Sequence, residues 1–167
     1  MRPTAFVPCM LIWGLAVFTP LAHAEEKPAP FSVSYTHAGL TEITVKDGKL
    51  RYVWHTMRQG ENGKAVEQGS LTSYDRHQVD IWLTGKEMKQ FRDWVVRRKV
   101  FEFEKDYPSA SGGRSRGAAF QSGLDLVQGE KKHGVSWAGD SKIPKGLGTA
   151  ISELITLAEE IQKSRSK

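Results

Sequence analysis

Metal binding, nucleophilic attack and general acid–base chemistry each demand particular residue types at particular spacings. Four histidines follow the N-terminal segment, His37, His55, His77 and His133, and none falls in an H-x-H, H-E-x-x-H or Cys/His pattern that converges ligands on one ion. No metal site and no cofactor is therefore expected. His133 shares an alternating face with Val135 and Trp137, so a partly buried structural role is expected for it. Ser, His and Asp are plentiful, but no G-x-S-x-G elbow places a nucleophile on a strand-to-helix turn. Glu102 and Glu104 flank Phe103 as a solvated edge would, not as an acid–base pair. No catalytic residue is assigned, and a non-enzymatic role is expected, with a small hydrolase as the enzymatic alternative.

Recognition leaves a different set of residues. Gly112-Gly113-Arg114-Ser115-Arg116-Gly117 could present backbone amides and the guanidinium forks of Arg114 and Arg116 to an anion, although it matches no phosphate-loop pattern. The Arg97-Arg98-Lys99 run is a second basic cluster, and its place at a helix C-terminus, where cations complement the helix dipole, already accounts for it. Trp82 alternates with Val79, Ile81 and Leu83 along a strand, so it is expected on the solvent side, where an aromatic can anchor a protein or a sugar. Trp82, Arg97, Arg98, Arg114 and Arg116 are the candidate binding surface.

These side chains need elements to position them. Phe31, Val33 and Tyr35 alternate with polar neighbours and start the first strand. Asp47-Gly48, the two-residue turn that suits the twist of a hairpin, joins strands Thr41 to Lys46 and Lys49 to Thr56. Pairing Lys46 with Lys49 sets Val45 opposite Leu50, Ile43 opposite Tyr52 and Thr41 opposite Trp54. Gln59 to Gly69 reads as a polar loop, and the strand bearing Trp82 follows it. Thr84 with Glu87 is a capping box, with Leu83 and Met88 spaced as a hydrophobic staple, and Met88, Phe91 and Val95 form the buried stripe of the first helix. After the glycine-rich loop, Phe120, Leu124 and Leu126 turn at Gly129-Glu130 onto His133, Val135 and Trp137. Leu147, Ile151, Leu154, Ile155, Ala158 and Ile161 recur at helical spacing and close the domain. The order β-ββ-β-α-ββ-α implies an α+β fold: an antiparallel sheet of about four to six strands with two helices packed on one face.

The N-terminus sets the expected compartment. Arg2, the apolar run from Met10 to Phe18 and Ala22-His23-Ala24 have the order of a secretory signal peptide, with cleavage expected after Ala24. The run is about half of the ~20 residues that span a bilayer, so no transmembrane segment is expected in the mature chain. The organisation is then a signal peptide over 1–24, a polar leader over 25–30, one domain over 31–163 and a polar tail over 164–167. Cys9 is the only cysteine, so the expected mature chain is cysteine-free and must stand on its hydrophobic core. The full chain has 24 Lys and Arg against 19 Asp and Glu, and loss of Arg2 with the leader brings the net charge from +5 to +4. That mild basicity permits an anionic glycan, lipid or acidic protein as partner, and falls short of the dense basic stripes of nucleic-acid binding, so nucleic acid is not expected.

The layout from Phe31 to Lys163 resembles emfourin, a small bacterial protein inhibitor of thermolysin-like metalloproteases. The likeness rests on element order, on V-F-E-F-E at Val100 to Glu104, and on V-S-W at Val135 to Trp137 followed by I-P-K-G-L at Ile143 to Leu147. The polar loop and the export signal depart from it, and no inhibitory residue carries over. The resemblance implies restraint of an extracellular hydrolase. The expected function is an exported, periplasmic or secreted, non-enzymatic module that binds another exported protein. The alternative is an envelope-associated module binding anionic glycan or lipid through its arginines.

Overall fold

Asp47 (φ 50°) and Gly48 (φ 75°) both take the left-handed backbone conformation. That pair of dihedrals forms the tight turn whose twist matches two antiparallel strands. In the computed structural model, which describes residues 29–57, 74–109 and 121–165, this turn joins β2 (Thr41–Lys46) to β3 (Lys49–Met57). Lys46 pairs with Lys49, Val45 with Leu50, Ile43 with Tyr52 and Thr41 with Trp54, the register expected from the turn chemistry alone.

The hairpin is the middle of a larger sheet. β1 (Phe31–His37) pairs antiparallel with β2 on one side and with β6 (Gln121–Gln128) on the other. β6 turns through Gly129 into β7 (Lys131–Ala138), and β4 (Tyr74–Trp82) pairs antiparallel with β3. The seventh strand, β5 (Asp106–Tyr107), adds parallel to β7, giving the order β4-β3-β2-β1-β6-β7-β5. The fold is α+β, with one strand more than the four to six expected. The extra strand is two residues long, too short to leave an alternation in the sequence.

Two helices cover one face. α1 (Gly85–Arg97) starts where Thr84 caps it: the Glu87 amide donates to the Thr84 hydroxyl, and the Thr84 amide donates to the Glu87 carboxylate at 2.6 Å. Its buried residues are Phe91, Trp94 and Val95, with Met88 partly buried against the core, so Trp94 joins the stripe that the spacing assigned to Met88, Phe91 and Val95. The Trp94 indole N–H donates to the Ala150 carbonyl on α2 (Lys145–Arg165) at 3.0 Å, which ties the two helices together inside the core. At one end of the helix pair Arg98 grips Glu153, and at the other Arg165 donates to both oxygens of Glu87 at 3.0 Å. α2 thus runs two residues past the boundary expected at Lys163. Val100 to Glu102, the start of the V-F-E-F-E run, form a 3-10 turn.

Alternation then divides the sheet. Phe31, Val33, Tyr35, Ile43, Val45, Leu50, Tyr52, Leu124, Leu126, Val135 and Trp137 point toward the helices and form one core with Leu147, Leu154 and Ala158. The residues between them lie on a face that neither helix covers. Among the described residues, no helix is long and apolar enough to cross a membrane.

Candidate binding surface

The uncovered face follows from register. Tyr74, Arg76, Gln78, Asp80 and Trp82 of β4 lie opposite Met57, His55, Val53, Arg51 and Lys49 of β3, and all ten alternate with core-facing neighbours. At one end of the sheet the rows line up as Trp82, Lys49, Lys46, Ser32, Val127 and Lys132, one residue from each successive strand. The next row begins Asp80, Arg51, Thr44 and Ser34. An aromatic, a line of lysines and a charged pair therefore share one corner.

Trp82 is 72% exposed, the highest value among the large apolar side chains described, which also include Met57 and Val96. It closes an edge strand, with both helices on the far face, so neither helix packs over it. The Lys49 ammonium lies 6.0 Å from the indole centroid, at the outer limit of a cation–π contact. Asp80 accepts from Arg51 Nε at 3.1 Å and lies 3.5 Å from Lys49. Hydrogen bonds from Arg51 and Gln78 hold the Asp80 carboxyl below its ordinary range, so it stays ionised beside the tryptophan. A shallow depression of about 230 Å³ runs between Trp82, Lys49, Arg51, Thr44 and Lys46. An exposed tryptophan above an aliphatic and charged floor can bury its ring against a partner while the flanking charges fix orientation.

The remaining expected surface residues lie elsewhere. Arg97 and Arg98 sit at the end of α1 on the helix side, and both reach Glu153, Arg98 with two donors. They brace the helix pair and do not join Trp82. Arg114 and Arg116, with Gly112 to Gly117, lie outside the described residues, as do Ala22 and Ala24 of the expected cleavage site and the Gln59 to Gly69 loop.

The histidines are dispersed. His55 Nδ1 lies 2.8 Å from the Leu40 carbonyl, His77 stacks on Trp54 at 5.2 Å and bonds Thr56, and His133 sits against Phe101 at 6.0 Å. His133 is half-buried, and its Nε2 has no hydrogen-bond partner among the described residues. His37 Nδ1 lies 2.8 Å from the Ser122 hydroxyl, a Ser–His contact that the sequence gives no sign of because 84 residues separate the two. They are direct cross-strand neighbours, Ser122 is only 2% exposed, and no carboxylate among the described residues bonds the His37 ring. Ser122 is closed to a substrate, and among the described residues the pair lacks the acid that would orient its base. Among the described residues, no group of three His, Cys, Asp or Glu could hold a metal ion.

Lys46, Lys49, Arg51 and Asp80 are the surface residues the sequence reading missed. The β2–β3 turn already sets Lys46 opposite Lys49. The step to β4 crosses the 58–73 segment, so no turn rule sets which residue of β4 meets Lys49. Compared with known proteins, the chain matches no family model and no curated protein sequence.

Proposed function

We propose that this protein is a non-enzymatic, exported binding module that recognises another exported protein through the uncovered sheet face around Trp82. The observation that carries this reading is a 72%-exposed tryptophan, beside Lys49 and the Arg51–Asp80 pair, on the face opposite both helices. Exposed tryptophan and arginine are the residue types that dominate interface energetics, and a rigid seven-stranded sheet presents them with little ordering cost. The resemblance to emfourin supplies the partner class: an extracellular hydrolase, foremost a thermolysin-like metalloprotease, which the module restrains. The localisation in this reading is periplasmic or secreted, from the Arg2 to Ala24 signal pattern.

The test has two arms. The immobilised chain is exposed to exported proteins and envelope extract and washed at low and then moderate salt, while thermolysin activity is titrated with the same chain. A discrete protein retained at moderate salt and lost with Trp82→Ala is the expected result, with dose-dependent thermolysin inhibition expected if the partner class is right. Retention of polyanions that elute as salt screens charge would instead select the glycan or lipid reading. That reading is weakened at the helix-side arginines it needs, since Arg97 and Arg98 share Glu153, which offsets part of their charge.

A further inference from the structure

β4 ends the sheet, and its outer edge carries a self-complementary pattern. The Leu83 amide donates to the Gly48 carbonyl, and Gly48 is the next residue opposite it in the β3–β4 register. Antiparallel ladders alternate, so the odd-numbered residues of β4 bond β3 while Tyr74, Arg76, Gln78, Asp80 and Trp82 turn their backbone N–H and C=O outward. Among the described residues no strand pairs with that edge. Nine residues of unpaired edge form a template for another strand.

We infer that this edge pairs with a second copy of the same chain, β4 against β4 antiparallel about Gln78, to give a two-fold dimer with one continuous sheet. A two-fold axis requires antiparallel strands and an identical patch on both copies. Centred on Gln78, the pairing sets Arg76 opposite Asp80 of the other copy, Tyr74 opposite Trp82, and Gln78 opposite itself. All five outward-facing residues then exchange backbone hydrogen bonds with their opposite numbers. A slip of two residues loses one such position and sets Arg76 opposite Gln78 or Trp82. Among the described residues Arg76 bonds Gln78 and has no carboxylate partner, so across the axis it joins an Asp80 that already accepts from Arg51 and Gln78 of its own chain. The opposed Arg–Asp and aromatic pairs, all on the uncovered face, are the cross-strand combinations that stabilise a sheet. This inference does not depend on the partner proposed above.

The experiment is sedimentation over a hundredfold dilution series, with cysteine mapping in a Cys9→Ala background. A concentration-dependent dimer is expected. Gln78→Cys is expected to form an intermolecular disulfide, because directly opposed hydrogen-bonded residues lie about 5.5 Å apart, within disulfide reach. Arg76→Cys and Asp80→Cys alone are expected to remain uncrosslinked, yet to link to each other when mixed. Gln78→Pro removes an outward N–H and the exposed side-chain bonds to Arg76 and Asp80 but no backbone bond to β3, so its circular dichroism should match wild type while dimer affinity falls about tenfold or more. A chain that stays monomeric throughout the series, or crosslinking of Arg76→Cys to itself with none at Gln78→Cys, would overturn the pairing. A monomer whose edge accepts a strand of another protein would overturn it as well.

Discussion

Trp82 and Glu87 show opposite uses of a side chain within one strand-to-helix corner. Trp82 contributes little to stability, because its ring is already in water in the folded state. In urea titration below the concentration at which the chain dimerises, Trp82→Ala is therefore expected to change unfolding free energy by no more than about 0.5 kcal/mol, while abolishing partner capture. Glu87 is structural. Partial burial pushes its carboxyl up, but bonds from the Thr84 amide and hydroxyl and the Arg165 guanidinium outweigh that and hold it below its ordinary value. A depressed folded pKa contributes stability that is fully present above the ordinary carboxylate range and lost as pH falls through the folded value. Glu87→Gln keeps a capping-box residue but cannot ionise, so its unfolding midpoint should fall less on acidification than that of wild type. Equal acid slopes for the two would refute this assignment. At this scale Trp82 was legible, since strict alternation fixes a face. The His37–Ser122 contact and the Lys49–Asp80–Arg51 cluster were not, because both depend on pairings between distant segments.

At the scale of elements, the β2–β3 hairpin and the start of α1 were readable because local chemistry determines them. Two left-handed residues at Asp47-Gly48 fix the register, and Thr84 with Glu87 fixes the helix start. Gly48→Ala is expected to cost about 1 kcal/mol or more in thermal unfolding, since φ 75° strains any residue with a Cβ even where nothing crowds it. The core stripe of α1 was read incompletely. Phe91 and Val95 were identified, but Trp94 is the residue that crosses to α2, through its bond to the Ala150 carbonyl. It is 1% exposed, so Trp94→Ala is expected to cost about 3–5 kcal/mol by chemical denaturation. A cost below about 1 kcal/mol would mean that α1 and α2 are not held through this residue. β5 escaped the sequence because its two residues are placed by the edge of β7 and by the Ser136 amide bonding the Lys105 carbonyl, not by any pattern of their own.

For the whole molecule, hydrophobic alternation was enough to predict an antiparallel sheet with helices on one face, and that architecture creates the surface. Both helices lie on one side of the sheet, and the edge order decides that Trp82 stands on the other side at a corner with Lys46 and Lys49. That edge order was not legible, because β1 sits between two hairpins whose packing order no local rule fixes. Arg97 and Arg98, expected to share a surface with Trp82, lie instead in the helix layer beside Glu153.

The most direct measurement is the dissociation constant of the captured exported protein for the wild-type chain, for Trp82→Ala and for Arg97→Ala/Arg98→Ala, at moderate salt. Recognition through the sheet face predicts that Trp82→Ala weakens binding by about 2 kcal/mol or more, roughly thirtyfold, while the helix-side pair changes it little. Unchanged affinity for Trp82→Ala, with loss on the arginine substitutions, would place recognition on the helix side and contradict the account.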